Sequence, residues 1–247
     1  MFNQENVLIP FSVSELPEGP WLIFAPHADD ETFGMGGTLL RAKEQGIETH
    51  LVVLTDGSLG GDTPNLKEVR QNEVLLASEL LGFKSINFWS EPDRFLYPSD
   101  EVILKTINVI TSISPASVFF PGAFEIHPDH RATAYIVWES LRQLQVRAGK
   151  NTPKPIAYEI GVQNPINVLI DITDQKSEKD LVMQIYKSQN KENNYPELVS
   201  ALDKGRTFSL PKEVKYAEGF FRFQDGDLNS TLDSAIHSIV DLYQKIN

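Results

Sequence analysis

Four short apolar runs, each followed by a polar loop and then a helix-like stretch, organise the first 145 residues. The runs at 21–26, 49–55, 86–89 and 117–121 have the length and composition of strands buried on both faces, as parallel strands are. Between them, apolar residues at helical spacing predict helices over 38–45, 66–81, 100–113 and 131–144. Gly46 and Gly82 stop the first two, and Val102, Ile103, Ile107, Ile110 and Ile113 line one side of the third. Residues 1–20, punctuated by Pro10, Pro17, Gly19 and Pro20, read as an extended lead-in. After residue 145 the pattern predicts strands at 156–161 and 168–172, paired with each other, then a helix over 173–189 capped by Thr173 or Asp174. A short helix with a loop over 190–205, a strand at 215–223 and an amphipathic helix over 230–246 complete the chain. The expectation is an α/β, Rossmann-like fold: a mostly parallel sheet with helices on both faces and extra β-strands in the C-terminal part. No Pro/Gly/Ser-rich linker, low-complexity tract or internal repeat interrupts the 247 residues, so one domain over 1–247 is expected.

Composition narrows the chemistry. The formal net charge of -12 and a pI near 4.9 argue against binding to nucleic acid or an anionic membrane, because the long-range field repels polyanions. There are no cysteines, so disulfides and thiolate metal sites are excluded and any zinc must take nitrogen and oxygen ligands. The N-terminus lacks the basic and apolar regions of a signal peptide, and no apolar stretch reaches the ~18 residues of a membrane span. A cytoplasmic protein is expected. A homo-oligomer is allowed by the sequence and not required by it.

Two polar clusters follow strands. Pro26, His27, Ala28, Asp29, Asp30 and Glu31 leave the first, and His127, Pro128, Asp129 and His130 follow the fourth. Three of the five histidines lie in them, at the strand ends where open α/β sheets place ligands. His27 and Asp30, three apart, can reach one ion, and His130 is the natural third ligand. Asp29 is then free to act as a base. Three ligands leave a coordination position open for water, whose pKa falls toward ~7 on zinc. Asp29-Asp30 could instead be only a helix cap, and a loop histidine is usually solvated. Gly34, Gly36 and Gly37 lack the full dinucleotide fingerprint and fit close packing of a helix on the sheet better than phosphate binding. His50 and His237, in apolar-periodic segments, read as structural.

PHADDETFGMGGTL together with HPDHRA resembles the PIG-L/LmbE-like family of zinc-dependent N-deacetylases. The resemblance extends to Arg70 and Glu73, to Asp93, and to Ala217-Glu218-Gly219-Phe220, and so spans most of the chain. It implies Zn2+ held by His27, Asp30 and His130, with Asp29 as general base. It further implies that His127 stabilises the oxyanion and protonates the leaving amine, that Asp129 orients His127, and that Arg70 and Asp93 contact the sugar. Two positions depart from the family pattern. Ala28 stands where proline is usual, and Glu125 stands where some members carry a tyrosine, so that the acid could face substrate instead. The implied activity is hydrolysis of the acetamide of an N-acetylglucosamine conjugate, giving acetate and a free amino sugar. The rivals are a zinc hydrolase of another amide and a non-catalytic sugar- or nucleotide-binding protein on the same fold.

Overall fold

The computed structural model describes residues 8–148 and 152–244. Seven strands form one sheet in the order β3-β2-β1-β4-β5-β7-β6. They are β1 (Trp21–Ala25), β2 (Thr49–Thr55), β3 (Ser85–Glu91), β4 (Ser117–Pro121), β5 (Lys154–Tyr158), β6 (Val168–Asp171) and β7 (Ala217–Arg222). The first five run parallel, and β7 pairs antiparallel with both β5 and β6. The chain winds outward from β1 to β2 and β3, then returns to β4 on the other side of β1. That reversal puts the topological switch point between the carboxyl ends of β1 and β4, where a crevice is expected.

Alternate residues of β1 pack into opposite cores, which is why its sequence is apolar without interruption. Trp21, Ile23 and Ala25 meet α1 (Asp30–Glu44), α2 (Leu66–Leu81) and α5 (Lys176–Met183) on one face. Leu22 and Phe24 meet α3 (Asp100–Ile113), α4 (Pro128–Ala148) and α8 (Leu232–Gln244) on the other. Two further helices, α6 (Lys187–Asn190) and α7 (Tyr195–Gly205), lie between α5 and β7. Trp21 and Trp138 are buried as their patterns require, while Trp89 on the edge strand β3 is half-buried beneath the Lys105 ammonium, 4.4 Å from its ring centre.

Three expectations are corrected. The strands near 156 and 168 do not pair with each other: β7 inserts between them. The helix foreseen over 173–189 breaks at 184–186 into α5 and α6. The first helix begins at Asp30, eight residues before the predicted start at Thr38, and bends at Met35 (φ -149°, ψ 23°). Its glycines hid it, since glycine disfavours a helix interior by about 1 kcal/mol relative to alanine. Their packing role is nevertheless visible: a Cβ on Gly37 would stand 2.7 Å from Ile172, and one on Gly34 would stand 2.4 Å from the Glu159 carbonyl. Expectations for residues 1–7 and 245–247 lie outside the described residues.

The bend in α1 frees backbone donors that the sheet then satisfies. The Glu218 carboxylate on β7 accepts from Gly37 N–H at 2.8 Å and Thr38 N–H at 2.7 Å, capping the second half of the helix. The fully buried ammonium of Lys179 bonds Glu218 at 2.8 Å and both oxygens of Asp203, at 3.0 and 2.8 Å. Removing the cation would leave two buried carboxylates facing each other. Lys179→Met is therefore expected to lower the unfolding free energy in urea by about 3–5 kcal/mol, the usual effect of breaking a buried pair. A loss below about 1 kcal/mol would show that the acids relax to water.

Candidate active site

Where β1 ends, the carbonyl of Pro26 accepts both the backbone N–H and the hydroxyl of Thr55 at 2.9 Å, which anchors the strand end to β2. Three residues on, the chain turns sharply into α1 through Asp29, whose φ of 126° is foreign to a side-chain-bearing residue. The first helical turn holds its carbonyl, with Thr32 and Phe33 donating at 2.9 Å each. Glu31 Oε2 accepts its N–H at 3.2 Å, and Arg70 reaches across from α2 to bond the Ala28 carbonyl at 2.9 Å and Asp29 Oδ2 at 3.3 Å. Such backbone strain stands at about 1–3 kcal/mol and persists where surrounding contacts over-determine it.

The two histidine clusters meet. Asp30 Oδ2 lies 3.0 Å from His27 Nδ1 and 3.3 Å from His130 Nε2, so that one carboxylate oxygen joins imidazoles from both strand ends. Among the described residues, nitrogen atoms of His27, His127 and His130 come within 4.8 Å of one another, as do donor atoms of His27, Asp93, His127 and Asp129. Separations of 3.0–3.3 Å suit neighbouring ligands of one tetrahedral ion, whose edges are about 3.4 Å for bonds near 2.1 Å. The imidazoles and carboxylates here are a donor set that could hold a metal ion, the His27–Asp30 and Asp30–His130 pairs having ligand spacing. His130 Nδ1 is buried without a hydrogen-bond partner, the Glu125 carboxylate standing 3.6 Å away, beyond hydrogen-bond reach.

The adjacent acids sit in opposed environments. Burial pushes the Asp29 carboxyl up, Arg70 opposes it, and the Asp30 charge adds to the rise. Burial also opposes the charge on Asp30, but His130 and His27 outweigh it and hold Asp30 well below the usual carboxylate range. Burial works against a charge on His27 as well, yet Asp129, Asp30 and Asp93 together raise it well above its ordinary value. His130 is lifted to about 9 by Asp30 against burial, and Asp93 falls to about 2 under His27. A divalent cation at this place would work against both imidazolium charges.

The Asp129 carboxylate does not bond His127, the partner that the resemblance implied. Its Oδ2 takes His27 Nε2 at 3.1 Å and Arg94 N–H at 2.7 Å, and its Oδ1 takes Leu96 N–H at 3.2 Å. The carboxylate stands 4.0 Å from His127 Nδ1. His127 instead accepts the backbone N–H of Asp129 at Nδ1, 3.2 Å away, which leaves Nε2 to carry the proton of the neutral ring. Burial, His27 and His130 all lower the His127 pKa.

A cavity of about 720 Å³ opens over these groups, and all nine predicted residues except Asp129 border it. Arg70 and Glu125 reach it with most of their polar atoms engaged, although Arg70 Nε is buried without a hydrogen-bond partner. Arg70 is buried on Asp29, Ala28 and the Gly57 carbonyl. Glu125 accepts from Ile160 N–H at 2.9 Å, Gly161 N–H at 3.1 Å and Asn164 Nδ2 at 3.2 Å, and so fixes the loop after β5. Asp93 accepts Leu59 N–H at 2.9 Å and stands 3.4 Å from His27 Nε2. His50 bonds Ser85 and Glu48 and His237 is exposed, both away from the cavity. Sequence reasoning gave no part to Glu31, although it stands beside Asp30 in the motif, or to the wall formed by Gln189, Glu192, Asn193 and Tyr195, whose spacing carries no chemical signal.

Comparison with known proteins fits this geometry. The family model described as PIG-L, GlcNAc-PI de-N-acetylase, matches residues 22–141, a segment that contains both histidine clusters. A diacetylchitobiose deacetylase of Thermococcus kodakarensis is 28% identical over 184 residues, covering 68% of this chain and 69% of that protein. A probable N-acetyl-alpha-D-glucosaminyl L-malate deacetylase 2 of Bacillus anthracis is 27% identical over 187 residues, covering 68% and 80%. The solved N,N'-diacetylchitobiose deacetylase from Pyrococcus horikoshii superposes with a TM-score of 0.74 at 26% identity, over 82% of this chain and 83% of its own. No helix among the described residues is long and apolar enough to cross a membrane. With its sheet and its paired histidine clusters, the chain is similar to the PIG-L de-N-acetylases over residues 22–141 and to the deacetylases named above over about two thirds of its length or more.

Proposed function

We propose that this protein is a zinc-dependent N-deacetylase that removes the acetyl group of an N-acetylglucosamine conjugate, releasing acetate and a free amino sugar. The observation that carries the reading is the opposed environment of Asp29 and Asp30. Neighbouring carboxyls driven apart in pKa take different roles, and here the ionised one touches both imidazoles while the more basic one faces the cavity. His27 Nδ1, Asp30 and His130 Nε2 would hold the ion, with Asp129 and Asp93 at His27 Nε2 fixing that ring's tautomer. When bound, the cation supplies Lewis-acid activation of the amide carbonyl and of water.

The chain's own groups do the rest. Asp29 takes a proton from the attacking water, and its raised pKa makes it a stronger base than an exposed aspartate. His127, neutral and carrying its proton on Nε2, donates a hydrogen bond to the carbonyl oxygen as negative charge develops there. As the C–N bond breaks, the nitrogen takes a proton, a step the resemblance assigns to His127 and to which Asp29, holding the proton of the attacking water, can also contribute, both groups bordering the cavity. Arg70 holds Asp29 in place and moderates its basicity. Cleavage of N-acetyl groups from amino-sugar conjugates by the relatives supports this substrate class over other amides. A purely binding protein would have no use for a carboxyl of raised basicity beside a ligand set.

Metal analysis of the purified protein is expected to find about one zinc per chain, and His130→Ala to lose most of it. Chelation should abolish acetate release from N-acetylglucosaminides, and zinc should restore it. Unchanged metal in His130→Ala would remove that residue from the ligand set. Asp29→Ala should keep its metal and lose activity by about 10²–10⁴, the usual worth of a positioned base. If Asp29→Ala empties the site while Asp30→Ala does not, the two assignments are reversed.

The pH dependence carries a sign. Asp29 must be ionised to accept the proton, so kcat/KM should climb with pH as its carboxyl loses a proton; burial raises that limb and a bound cation lowers it. Arg70 lowers the Asp29 pKa. Arg70→Met should therefore move that limb to higher pH, measured on metal-loaded protein. A limb that stays put, or moves down, would show that Asp29 is not the group being titrated.

A further inference from the structure

We propose that Glu31 is a positioning residue for the reaction: its buried carboxylate, tethered by Tyr186, fixes the peptide of Asp29 and so the aim of the Asp29 carboxylate. The inference rests on the reading of Asp29 as the proton acceptor. Glu31 is fully buried, and its carboxylate meets three donors. Oε2 accepts the Asp29 N–H at 3.2 Å, while Oε1 accepts the Thr32 hydroxyl at 2.9 Å and the hydroxyl of Tyr186. Thr32 and Tyr186 also touch each other, at 3.0 Å between oxygens, closing a ring of three side chains behind the turn.

No cation forms an ion pair with Glu31 among the described residues, and burial raises its pKa. A buried carboxylate without a counter-charge is a poor means of stabilising a fold, since well-packed apolar groups of similar shape serve as well. What it does offer is direction. The Asp29 peptide has a conformation that side-chain-bearing residues rarely adopt, φ 126°, and a hydrogen bond to its N–H is lost if that peptide rotates. Arg70 grips the same turn from the other side, through the Ala28 carbonyl and Asp29 Oδ2. Glu31 and Arg70 thus bracket Asp29.

The position of Tyr186 is itself determined. It stands in the break between α5 and α6, with φ -77° and ψ 56°. Ser188, two residues later, donates from both its N–H and its hydroxyl to Glu73 on α2, at 2.9 and 2.7 Å. The break in the helix is therefore pinned to α2, the helix that also supplies Arg70. Through it the Tyr186 hydroxyl reaches the far side of Glu31.

Three variants test the proposal on metal-loaded protein, with kcat, KM, metal content and thermal midpoint measured for each. Glu31→Ala is expected to keep its metal and lose kcat by about 10²-fold, the effect of misplacing a catalytic group by about 1 Å, with KM within about twofold. In Glu31→Gln the amide oxygen can still accept from Asp29 N–H while the amide N–H₂ donates to the Tyr186 oxygen. It should recover to within about tenfold of wild type. Tyr186→Phe should fall between the two, again in kcat. If Glu31→Ala fails to fold, the glutamine and phenylalanine variants carry the test. Wild-type kcat in Glu31→Ala or Tyr186→Phe, a loss confined to KM, or a glutamine variant as impaired as alanine would overturn the proposal alone. A wild-type chain that releases no acetate from any N-acetylglucosaminide would overturn the deacetylase reading, and this inference with it.

Discussion

The site depends on one turn. Between the buried strand β1 and the helix α1 the chain reverses through Asp29 at a φ of 126°, and that geometry directs Asp29 and Asp30 into different surroundings. In a regular helix start the two acids would share one environment, both near the positive end of the helix dipole. Here Asp30 Oδ2 folds back onto His27 N–H, at 2.9 Å, and joins the two imidazoles, while Asp29 points to Arg70 and the cavity. Strain of this kind is tolerated when neighbours fix every free direction, and the turn has a partner for its N–H, its carbonyl and its carboxylate.

The electrostatic consequence follows from that turn. Seven titratable groups, four of them acids, crowd the switch point between β1 and β4: His27, Asp29, Asp30, Asp93, His127, Asp129 and His130. In a low-dielectric setting such a cluster is stable only if charges of opposite sign interleave. The structure alternates them, with His27 between Asp30 and Asp129 and with Asp30 between His27 and His130. Asp29 is left with only a 3.3 Å contact to Arg70 against the charge of Asp30, so burial wins and its carboxyl rises. Its basicity is thus a residue of how the other charges are paired, and Arg70 limits its extent.

Much of this was legible in sequence because it depends on local pattern. Strand β2, THLVVLT, is apolar because it is buried on both faces, and the order of strands and helices to residue 145 follows from such runs. The metal-ligand candidates were legible because two short motifs carry them, and strand order brings β1 beside β4. What escaped is set by contacts between distant segments. The insertion of β7 between β5 and β6 is a matter of pairing, which no local pattern specifies. The helical start at Asp30 was hidden by glycines whose presence is explained only by Ile172 and Glu159, more than a hundred residues away. The resemblance implied that Asp129 orients His127, two residues before it, yet its carboxylate bonds His27, 102 positions distant.

The same division separates chemistry from the shape of the cavity. The histidine and aspartate cluster comes from residues 27–130, within the segment matched by the family model. The facing wall comes largely from later residues: Ile160, Gly161 and Val162 after β5, and Gln189, Glu192, Asn193, Tyr195 and Leu198 from α6, α7 and the turn between them. Arg70 and Glu125, expected to meet a sugar, are instead occupied in holding Asp29 and the loop after β5. On the later wall, Glu192 and Asn193 are exposed on the cavity side, unlike the buried Arg70 and Glu125, and so are freer to meet a ligand's hydroxyls. The two walls are joined mechanically, since Gln189 Nε2 donates to the Gly60 carbonyl and Tyr186 and Ser188 bond Glu31 and Glu73. A segment that shapes the outer cavity thus also buttresses the turn at Asp29, so a change of cavity shape there acts on the placement of the Asp29 carboxylate, the proposed base, as well as on fit.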